Sequence, residues 1–201
     1  MVLELKLKKE DPKAILLVWE GDVWRRLSKS LFFNELNKFP AGLLWEDFLE
    51  RFSLLEEKIG KRYSLYLLSQ RAMLSSELEE KLISKGITPS VAKGVVQYCS
   101  EKGFLNDEQE VARLVAKELR KGHSAKAVLF KLRAKKRLDE TLLQGALQEA
   151  SSSDADVLQK WLVKNAKKIT RDDPLAMRKL MAKLCRKGFS PELVFKTLGD
   201  N

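Results

Sequence analysis

The chain has few of the residues on which enzyme sites commonly depend. Its 201 residues include two cysteines and one histidine. Cys99 and Cys185 lie in apolar helical patterns without CxxC spacing, so we expect two small buried side chains rather than a disulfide or a metal site. A conventional serine or cysteine triad would have to use His123, and no supporting acid is evident for it. A turn or cap role is the simpler interpretation of this histidine.

Sequence motifs for nucleotide, metal and hydrolase chemistry are also missing. There is no GxxxxGK[ST], GxGxxG, HExxH or GxSxG. Asp172 and Asp173 could form a carboxylate pair for a metal, but their place directly before Pro174 favours a helix cap. We therefore predict a binding protein that is not an enzyme, with no catalytic residue, cofactor or metal site.

Long apolar runs are absent as well. No segment approaches the ~18 apolar residues of a membrane-spanning helix. The opening residues alternate apolar and charged side chains, unlike a secretion signal. The sequence thus predicts a cytoplasmic protein that does not enter a membrane.

The net charge of +10 is unevenly distributed along the chain. Residues 1–60 sum to −1 and residues 61–110 to zero. By contrast, residues 111–150 carry 10 basic and 4 acidic side chains, and residues 151–201 carry 11 and 6. The excess therefore lies in residues 111–201, as expected if that part faces a polyanion or an acidic protein surface.

Residues 61–105 predict a module of three short helices. Apolar side chains follow helical spacing in three runs, which are separated at Leu74-Ser75 and at residues 86–89. Ser75 or Ser76 is a suitable N-cap, Gly86 suits a left-handed turn, and Pro89 suits a first helical position. The module therefore comprises about 45 residues.

The same pattern returns near the C-terminus. Residues 187–193 repeat the order of residues 85–91, and Gly86 and Gly188 lie 102 positions apart, which leaves room for one degraded copy between them. We therefore predict a mainly α-helical, elongated and curved tandem array of three three-helix repeats. The repeats are residues 61–105, 106–150 and 151–201.

The pattern of residues 1–60 differs from that of the three repeats and predicts a separate N-terminal segment. Residues 2–9 and 13–28 show strand patterns with a hairpin turn near Gly21, and two helical patterns follow, the second ending before Gly60. We expect a small N-terminal β-hairpin or strand element and a lead-in helix. Aromatic residues concentrate between Trp19 and Phe52; a small core is the simpler interpretation, and a base-stacking platform is the alternative.

Basic side chains recur at helical spacing in the last two repeats. Rows at i, i+4, i+7 and i+8 occur on the predicted helices after Asn106 and Ser153, a dense cluster lies between them, and a further row follows Pro174. Such rows can follow a phosphate backbone or an acidic surface, although a merely solvated face is the alternative. The candidate binding residues are Arg113, Lys117, Arg120, Lys121, Arg133, Lys135, Lys136, Arg137, Lys160, Lys164, Lys167 and Lys168.

Short motifs in this order and spacing resemble the bacterial RecX family. One is Leu68-Ser69-Gln70-Arg71 followed by Glu77-Leu78, and another is Gly103-Phe104-Leu105-Asn106-Asp107 followed by Val111-Ala112. Arg71 joins the candidate binding residues from the first motif. The chain departs from the family pattern at Met73-Leu74 and at Lys136-Arg137.

The resemblance implies a regulator of the RecA recombinase. The expected partner is the RecA–DNA filament. A monomeric regulator would limit the extension of this filament and its ATPase, recombinase and coprotease activities during DNA repair and the SOS response. Direct, non-specific binding to single- or double-stranded DNA is compatible with the basic rows. Two alternatives stay open: a helical protein that binds nucleic acid without RecA, and a structural adaptor with solvated basic faces.

Overall fold

The computed structural model divides into two compact units, Met1–Asp107 and Glu108–Asn201. For residues 3–7, 135 and 136 only the backbone is described. The described residues are 3–7, 11–19, 21–40, 43–136, 138, 140–150, 153–166 and 173–199.

The first unit begins with a three-stranded antiparallel sheet. Strands β1 (Leu3–Leu7), β2 (Ala14–Trp19) and β3 (Asp22–Ser28) pair in sequence order. Ile15 and Leu17 of β2 are fully buried, and a register shift follows at Leu17/Val18. The two strand patterns and the hairpin turn predicted from the sequence are confirmed.

The described residues of the first unit also form four helices: α1 (Lys29–Leu36), α2 (Trp45–Gln70), α3 (Ser75–Ser84) and α4 (Pro89–Glu101). The break expected at Gly60 is wrong, because α2 passes through it without interruption. Gly60 is buried, and a Cβ there would lie 3.0 Å from Val95 Cγ2 of α4. This glycine therefore allows close helix packing, and the boundary proposed at residue 60 falls inside α2.

The aromatic residues of the first unit form its core. Phe32, Phe48 and Phe52 are buried, and the Trp24 ring meets Trp45 and Phe52 edge-on at centroid distances of 5.1 and 5.3 Å. Edge-to-face pairs at such distances add to the stabilisation from burial. The packing supports the small-core interpretation of these aromatic residues.

The second unit contains helices only, within its described residues. The first residue of its leading helix, Asp107, is the last residue of the first unit. A mainly α-helical protein with a small antiparallel N-terminal sheet is confirmed, whereas the division into three repeats stays a prediction. The helices are α5 (Asp107–Arg120), α6 (Ala125–Lys136), α7 (Glu140–Glu149), α8 (Asp154–Asn165), α9 (Pro174–Arg186) and α10 (Pro191–Gly199).

Two helix starts are capped by an aspartate far along the chain. Ser75, expected as an N-cap, is instead the first residue of α3, and its N–H donates to Asp107 Oδ1 at 2.8 Å. In the second unit the N–H of Ala125 donates to Asp154 Oδ1, also at 2.8 Å. Each carboxylate satisfies an amide that its helix leaves open. In both cases the start of a helix is completed by a residue about 30 positions later in the chain.

A second contact recurs in both units. The Ser28 N–H donates to the Lys85 carbonyl at 3.0 Å, and the Ser124 N–H donates to the Lys187 carbonyl at 3.0 Å. Both lysines precede a glycine with positive φ, Gly86 in one unit and Gly188 in the other. The similar sequence of the two turns is therefore accompanied by the same backbone contact.

Two core assignments in the second unit are wrong. The apolar pattern after Asp173 predicts Leu175, Leu180, Met181 and Leu184 as core residues, but Leu175 is 68% exposed. Cys185 is exposed, whereas Cys99 is buried. Both misplaced residues lie on α9, where only Leu184 is buried. The cap predicted at Asp173 is confirmed, since its side chain accepts the Leu175 N–H. Ser153 caps α8 in the same way by accepting the Asp156 N–H.

Candidate interaction surface

Helix α5 presents the first basic row to solvent. Burial of Val111, Val115 and Leu119 fixes the orientation of the helix, so the opposite side carries the cations. Lys117 and Arg120 are exposed, and neither forms an ion pair with any described residue. These two side chains are therefore available to an external anion.

Arg113 belongs to the same row but is paired internally. Its Nε and Nη2 atoms donate to the two carboxylate oxygens of Glu110 at 2.6 and 2.7 Å. Glu110 is buried, and its hydrogen bond raises the pKa of Arg113. The charge of Arg113 is largely neutralised by this bidentate pair, so it would contribute less to binding than Lys117 or Arg120.

A buried carboxylate gathers the basic side chains at the end of α5. Glu118 is 6% exposed, and its two oxygens accept from Lys121 Nζ and Lys131 Nζ, each at 2.6 Å. Burial alone would raise the pKa of Glu118, but the two lysine hydrogen bonds outweigh it and lower the pKa to about 2. We call Glu118, Lys121 and Lys131 the Glu118 cluster.

The histidine lies beside the same cluster. His123 Nε2 is 3.7 Å from Glu118 Oε2, a neighbour that the sequence did not reveal. Burial lowers the pKa of His123, and the charges of Lys187 and Lys131 lower it further. The imidazole is therefore held neutral at pH 7. Its place in the turn between α5 and α6 agrees with the turn interpretation.

Trp161 of α8 supports two more cations. Lys183 Nζ and Lys187 Nζ lie 5.2 and 5.6 Å from its ring centroid, and Lys187 Nζ also donates to the Lys121 carbonyl at 2.5 Å. The Trp161 side chain packs against Gly122, where a Cβ would overlap the ring. An indole face attracts ammonium groups, so this tryptophan holds the two lysines near the Glu118 cluster.

The other candidate residues of the second unit are less well defined. Arg133 Nη1 donates to Glu140 Oε2 at 2.8 Å, so the positive charge of Arg133 is partly neutralised by this carboxylate. Lys160 and Lys164 are exposed on α8 and form no ion pair with the described residues. The side chains of Lys135 and Lys136 are not described, and three candidate residues lie outside the described chain: Arg137, Lys167 and Lys168.

Arg71, the candidate from the first unit, is exposed after the end of α2 and pairs with Glu77. Met73 and Leu74, where the chain departs from the RecX pattern, are buried, at 2% and 1% exposure. These two residues therefore contribute to the core of the first unit.

The basic row predicted after Pro174 lies on α9, and its cations were not among the candidate binding residues. Arg178, Lys179, Lys183 and Arg186 are exposed, and the 13-residue helix contains no acidic residue. That composition is visible in the sequence, so these residues could have been included among the candidates. The pairing of Lys131 with Glu118 could not be predicted from the sequence, because it joins two different helices.

The described residues contain no group of three or more metal-ligating side chains, and no described helix is long and apolar enough to span a membrane. The fold and these surfaces define a mainly α-helical protein that exposes several unpaired basic side chains on α5, α8 and α9.

Comparison with known proteins identifies relatives of one kind. No family model matches the chain. Regulatory protein RecX of Mycolicibacterium smegmatis is 26% identical over 146 residues, which cover 69% of this chain and 77% of that protein. Regulatory protein RecX of Bacillus subtilis is 28% identical over 144 residues, again 69% of this chain but only 53% of the relative's length.

Solved structures agree with the sequence matches. A crystal structure of a regulatory protein RecX superposes with a TM-score of 0.63 over 100% of this chain and 99% of that one, at 16% identity. The crystal structure of RecX from Lactobacillus salivarius superposes with a TM-score of 0.61 over 72% of this chain and 96% of that chain, at 19% identity. The resemblance to the RecX family inferred from the motifs is confirmed, and the fold is shared.

Proposed function

We propose that this chain is a non-enzymatic regulatory protein that binds the RecA recombinase–DNA filament in the cytoplasm and inhibits its activities. The observation that carries the proposal is the similarity to two regulatory proteins RecX over 69% of the chain. The regulator would limit filament extension, ATPase, strand exchange and coprotease activity as a monomer, during DNA repair and the SOS response.

The unpaired cations support an electrostatic mode of binding. Lys117 and Arg120 on α5 and the acid-free row on α9 can meet an acidic protein surface or the phosphates within a filament. Arg71, Arg113, Lys121 and Arg133 are paired with carboxylates. We therefore rank the unpaired residues above the paired ones as contacts.

The test is the ATPase rate of a preformed RecA–single-stranded-DNA filament. The protein is added well below one copy per RecA protomer, with DNA in large excess, so that competition for bare DNA cannot lower the rate. We expect inhibition. An unchanged rate together with failure to co-sediment with the filament would contradict the proposal.

Charge-reversed variants locate the surface. Lys117→Glu with Arg120→Glu should weaken inhibition, whereas Lys93→Glu with Lys102→Glu changes the net charge equally on exposed positions of the first unit. Equal loss in both variants would mean that net charge, and not the α5 row, is responsible.

A second candidate function is direct binding to nucleic acid without base specificity. The specific observation favouring it is the acid-free basic row on α9. Binding to bare DNA that falls steeply with salt, with no effect on a filament, would select this alternative.

A further inference from the structure

The first unit contains a basic cleft that the charge distribution of the sequence does not predict. The cleft has a volume of about 930 Å³ and lies where β2 begins, where β3 leads into α1, and at the turn between α3 and α4. Four cationic residues in the described part of the chain line it: Lys13, Arg26, Lys29 and Lys85. We call it the N-terminal cleft. It belongs to a segment of zero or slightly negative net charge, so the clustering is a product of the fold.

Backbone contacts hold the three walls of the N-terminal cleft together. The Lys29 N–H donates to the Lys13 carbonyl at 2.8 Å, and the Ser28 N–H donates to the Lys85 carbonyl at 3.0 Å. Gly86 has a φ of +94°, and a Cβ there would lie 2.9 Å from Leu27 Cα. Only glycine permits this approach of the turn to β3. The cleft is therefore built by the fold of the unit.

The charges in the N-terminal cleft are not balanced internally. Among the described residues that line it, Asp11 is the one acidic residue, and this carboxylate already pairs with Arg26 and accepts the Lys13 N–H at 3.1 Å. Lys13, Lys29 and Lys85 form no ion pair among the described residues. Like charges gathered in a concavity without a counter-charge attract an anion.

The remaining lining groups suit the oxygen atoms of phosphate. The hydroxyls of Ser28 and Ser30 lie 3.1 Å apart at the start of α1, and both residues line the cleft. Hydroxyl and ammonium groups donate hydrogen bonds, and a lysine acts as a point charge toward phosphate. The volume of the cleft lies within the ~300–1,000 Å³ range of ligand pockets, so the cleft has room for more than a single phosphate group. Phe33 adds a half-buried apolar ring against which a sugar or base could pack.

We propose that the N-terminal cleft is a phosphate-binding site that takes either the phosphodiester backbone of a single strand or the phosphates of a free nucleotide. Lys13, Lys29 and Lys85 would supply the charge, and Ser28 and Ser30 would donate hydrogen bonds. The site is built from residues of the first unit, whereas the basic rows on which the proposed function rests belong to the second unit, and it requires no filament. The two proposals can therefore fail independently.

The test measures binding of three probes to the purified chain at low salt by calorimetry. The probes are ATP, a short oligothymidylate, and an oligoglutamate peptide with as many charges as the oligothymidylate. We expect ATP or the oligonucleotide to bind at least ~10-fold more tightly than the peptide, because carboxylates match the site less well than phosphates. If the oligonucleotide binds and ATP does not, the single strand is the source of the phosphate. If ATP binds and displaces the oligonucleotide, the two probes share one site. Equal binding of the peptide, or no binding of any probe, would overturn the proposal.

Paired variants locate the binding. Lys13→Gln with Lys29→Gln should lower phosphate affinity at least ~10-fold, since each lysine interacts with charged oxygens. Lys93→Gln with Lys102→Gln removes the same charge from exposed positions outside the cleft and should change affinity less than ~2-fold. Equal losses in the two variants would refute the site.

A measurement on the unaltered chain covers the case in which the cleft variant does not fold. Lysine acetylation followed by mass spectrometry should show Lys13 and Lys29 protected when ATP or the oligonucleotide is present. Lys93 and Lys102 should react at the same rate with and without the probe. Unchanged acetylation at all four lysines would contradict the proposal.

Discussion

Replacement of Glu118 by glutamine should destabilise the second unit in a pH-dependent way. The carboxylate is buried, and it accepts hydrogen bonds from Lys121 and Lys131 at 2.6 Å. Glutamine keeps the volume of the side chain but removes the charge, so both lysines lose their anionic partner. The like charges of Lys131 and Lys187 would then act on each other without compensation.

The pKa of Glu118 sets the magnitude of the effect. Between the ordinary value of 4.5 and the value of about 2 in the folded protein, the difference corresponds to ~3.4 kcal/mol at neutral pH. The side chains of Lys121 and Lys131 are 48% and 42% exposed, so water screens part of the attraction. We therefore expect a loss of ~2 kcal/mol in the free energy of unfolding of the Glu118→Gln variant.

The sign of the pH dependence follows from the lowered pKa. A carboxylate with a lowered pKa in the folded state stabilises the protein fully above its unfolded pKa, and this contribution disappears as the pH falls from about 5 to about 2. The difference between wild type and Glu118→Gln should therefore be largest at pH 7 and shrink toward pH 2. The lowered pKa of His123 also causes a loss of stability on acidification, beginning near its ordinary value of 6.5. Comparison of the two proteins at each pH removes most of that contribution.

Urea unfolding of protein labelled with 5-fluorotryptophan measures this effect. Trp161 is the single tryptophan of residues 108–201, so its fluorine resonance reports the second unit separately from the first. Glu192→Gln, at an exposed position on α10, is the matched control and should cost less than ~0.5 kcal/mol. Equal unfolding midpoints for wild type and Glu118→Gln at pH 7 would refute the reasoning, as would a difference that does not shrink in acid.

Three further outcomes are expected. Gly188→Ala should destabilise the second unit by more than ~2 kcal/mol, because φ is +93° and the new Cβ would overlap Ser124 and Ala127; Gly103→Ala, with φ of +73° and open space around it, should cost only ~1 kcal/mol in thermal unfolding. Asp154→Ala should cost ~1 kcal/mol and increase amide exchange at the start of α6, whereas Asp154→Asn keeps an acceptor and should cost less; equal costs would show that the carbonyl-like oxygen is not what matters. If the chain binds bare single-stranded DNA through α5, Lys117→Glu with Arg120→Glu should reduce the slope of log affinity against log salt by ~1.4, and an unchanged slope would exclude these two contacts.

Local chemistry explains which elements the sequence could predict. Helix ends next to Gly86, Gly103, Gly122 and Gly188 were predictable, because a glycine after an apolar run marks a left-handed turn, and all four have positive φ. The cap at Asp173 was predictable for a similar reason, since the aspartate directly precedes a proline at the first helical position. Each of these assignments depends on residues within one turn of each other.

The misplaced features depend on contacts between distant residues. Gly60 resembles a helix break in the sequence, but the close approach of Val95 makes a helical glycine the fitting residue. Ser75 resembles an N-cap, but Asp107, 32 residues later, takes that role. Leu175 fits an apolar stripe, yet it lies in the first turn of α9 and remains exposed. Periodicity identifies a helix reliably but cannot say what packs against its ends.

The candidate site shows the same limit. The sequence identifies the cations of α5, and it places Glu118 on the apolar stripe of that helix. It does not show that Lys131 and Lys121 share this carboxylate, nor that Arg113 is neutralised by Glu110. Charge counting therefore overstates the number of side chains that can meet a partner.

The contacts at the start of α6 have a consequence for synthesis of the chain on the ribosome. The N–H groups of Ser124 and Ala125 are satisfied by Lys187 and Asp154, both of which are translated after α6 and α7. A nascent chain that ends at residue 150 contains neither partner, so α6 would fray at its first turn until the later residues emerge. Early termination or pausing at this point would leave an incompletely capped helix open to chaperones and proteases.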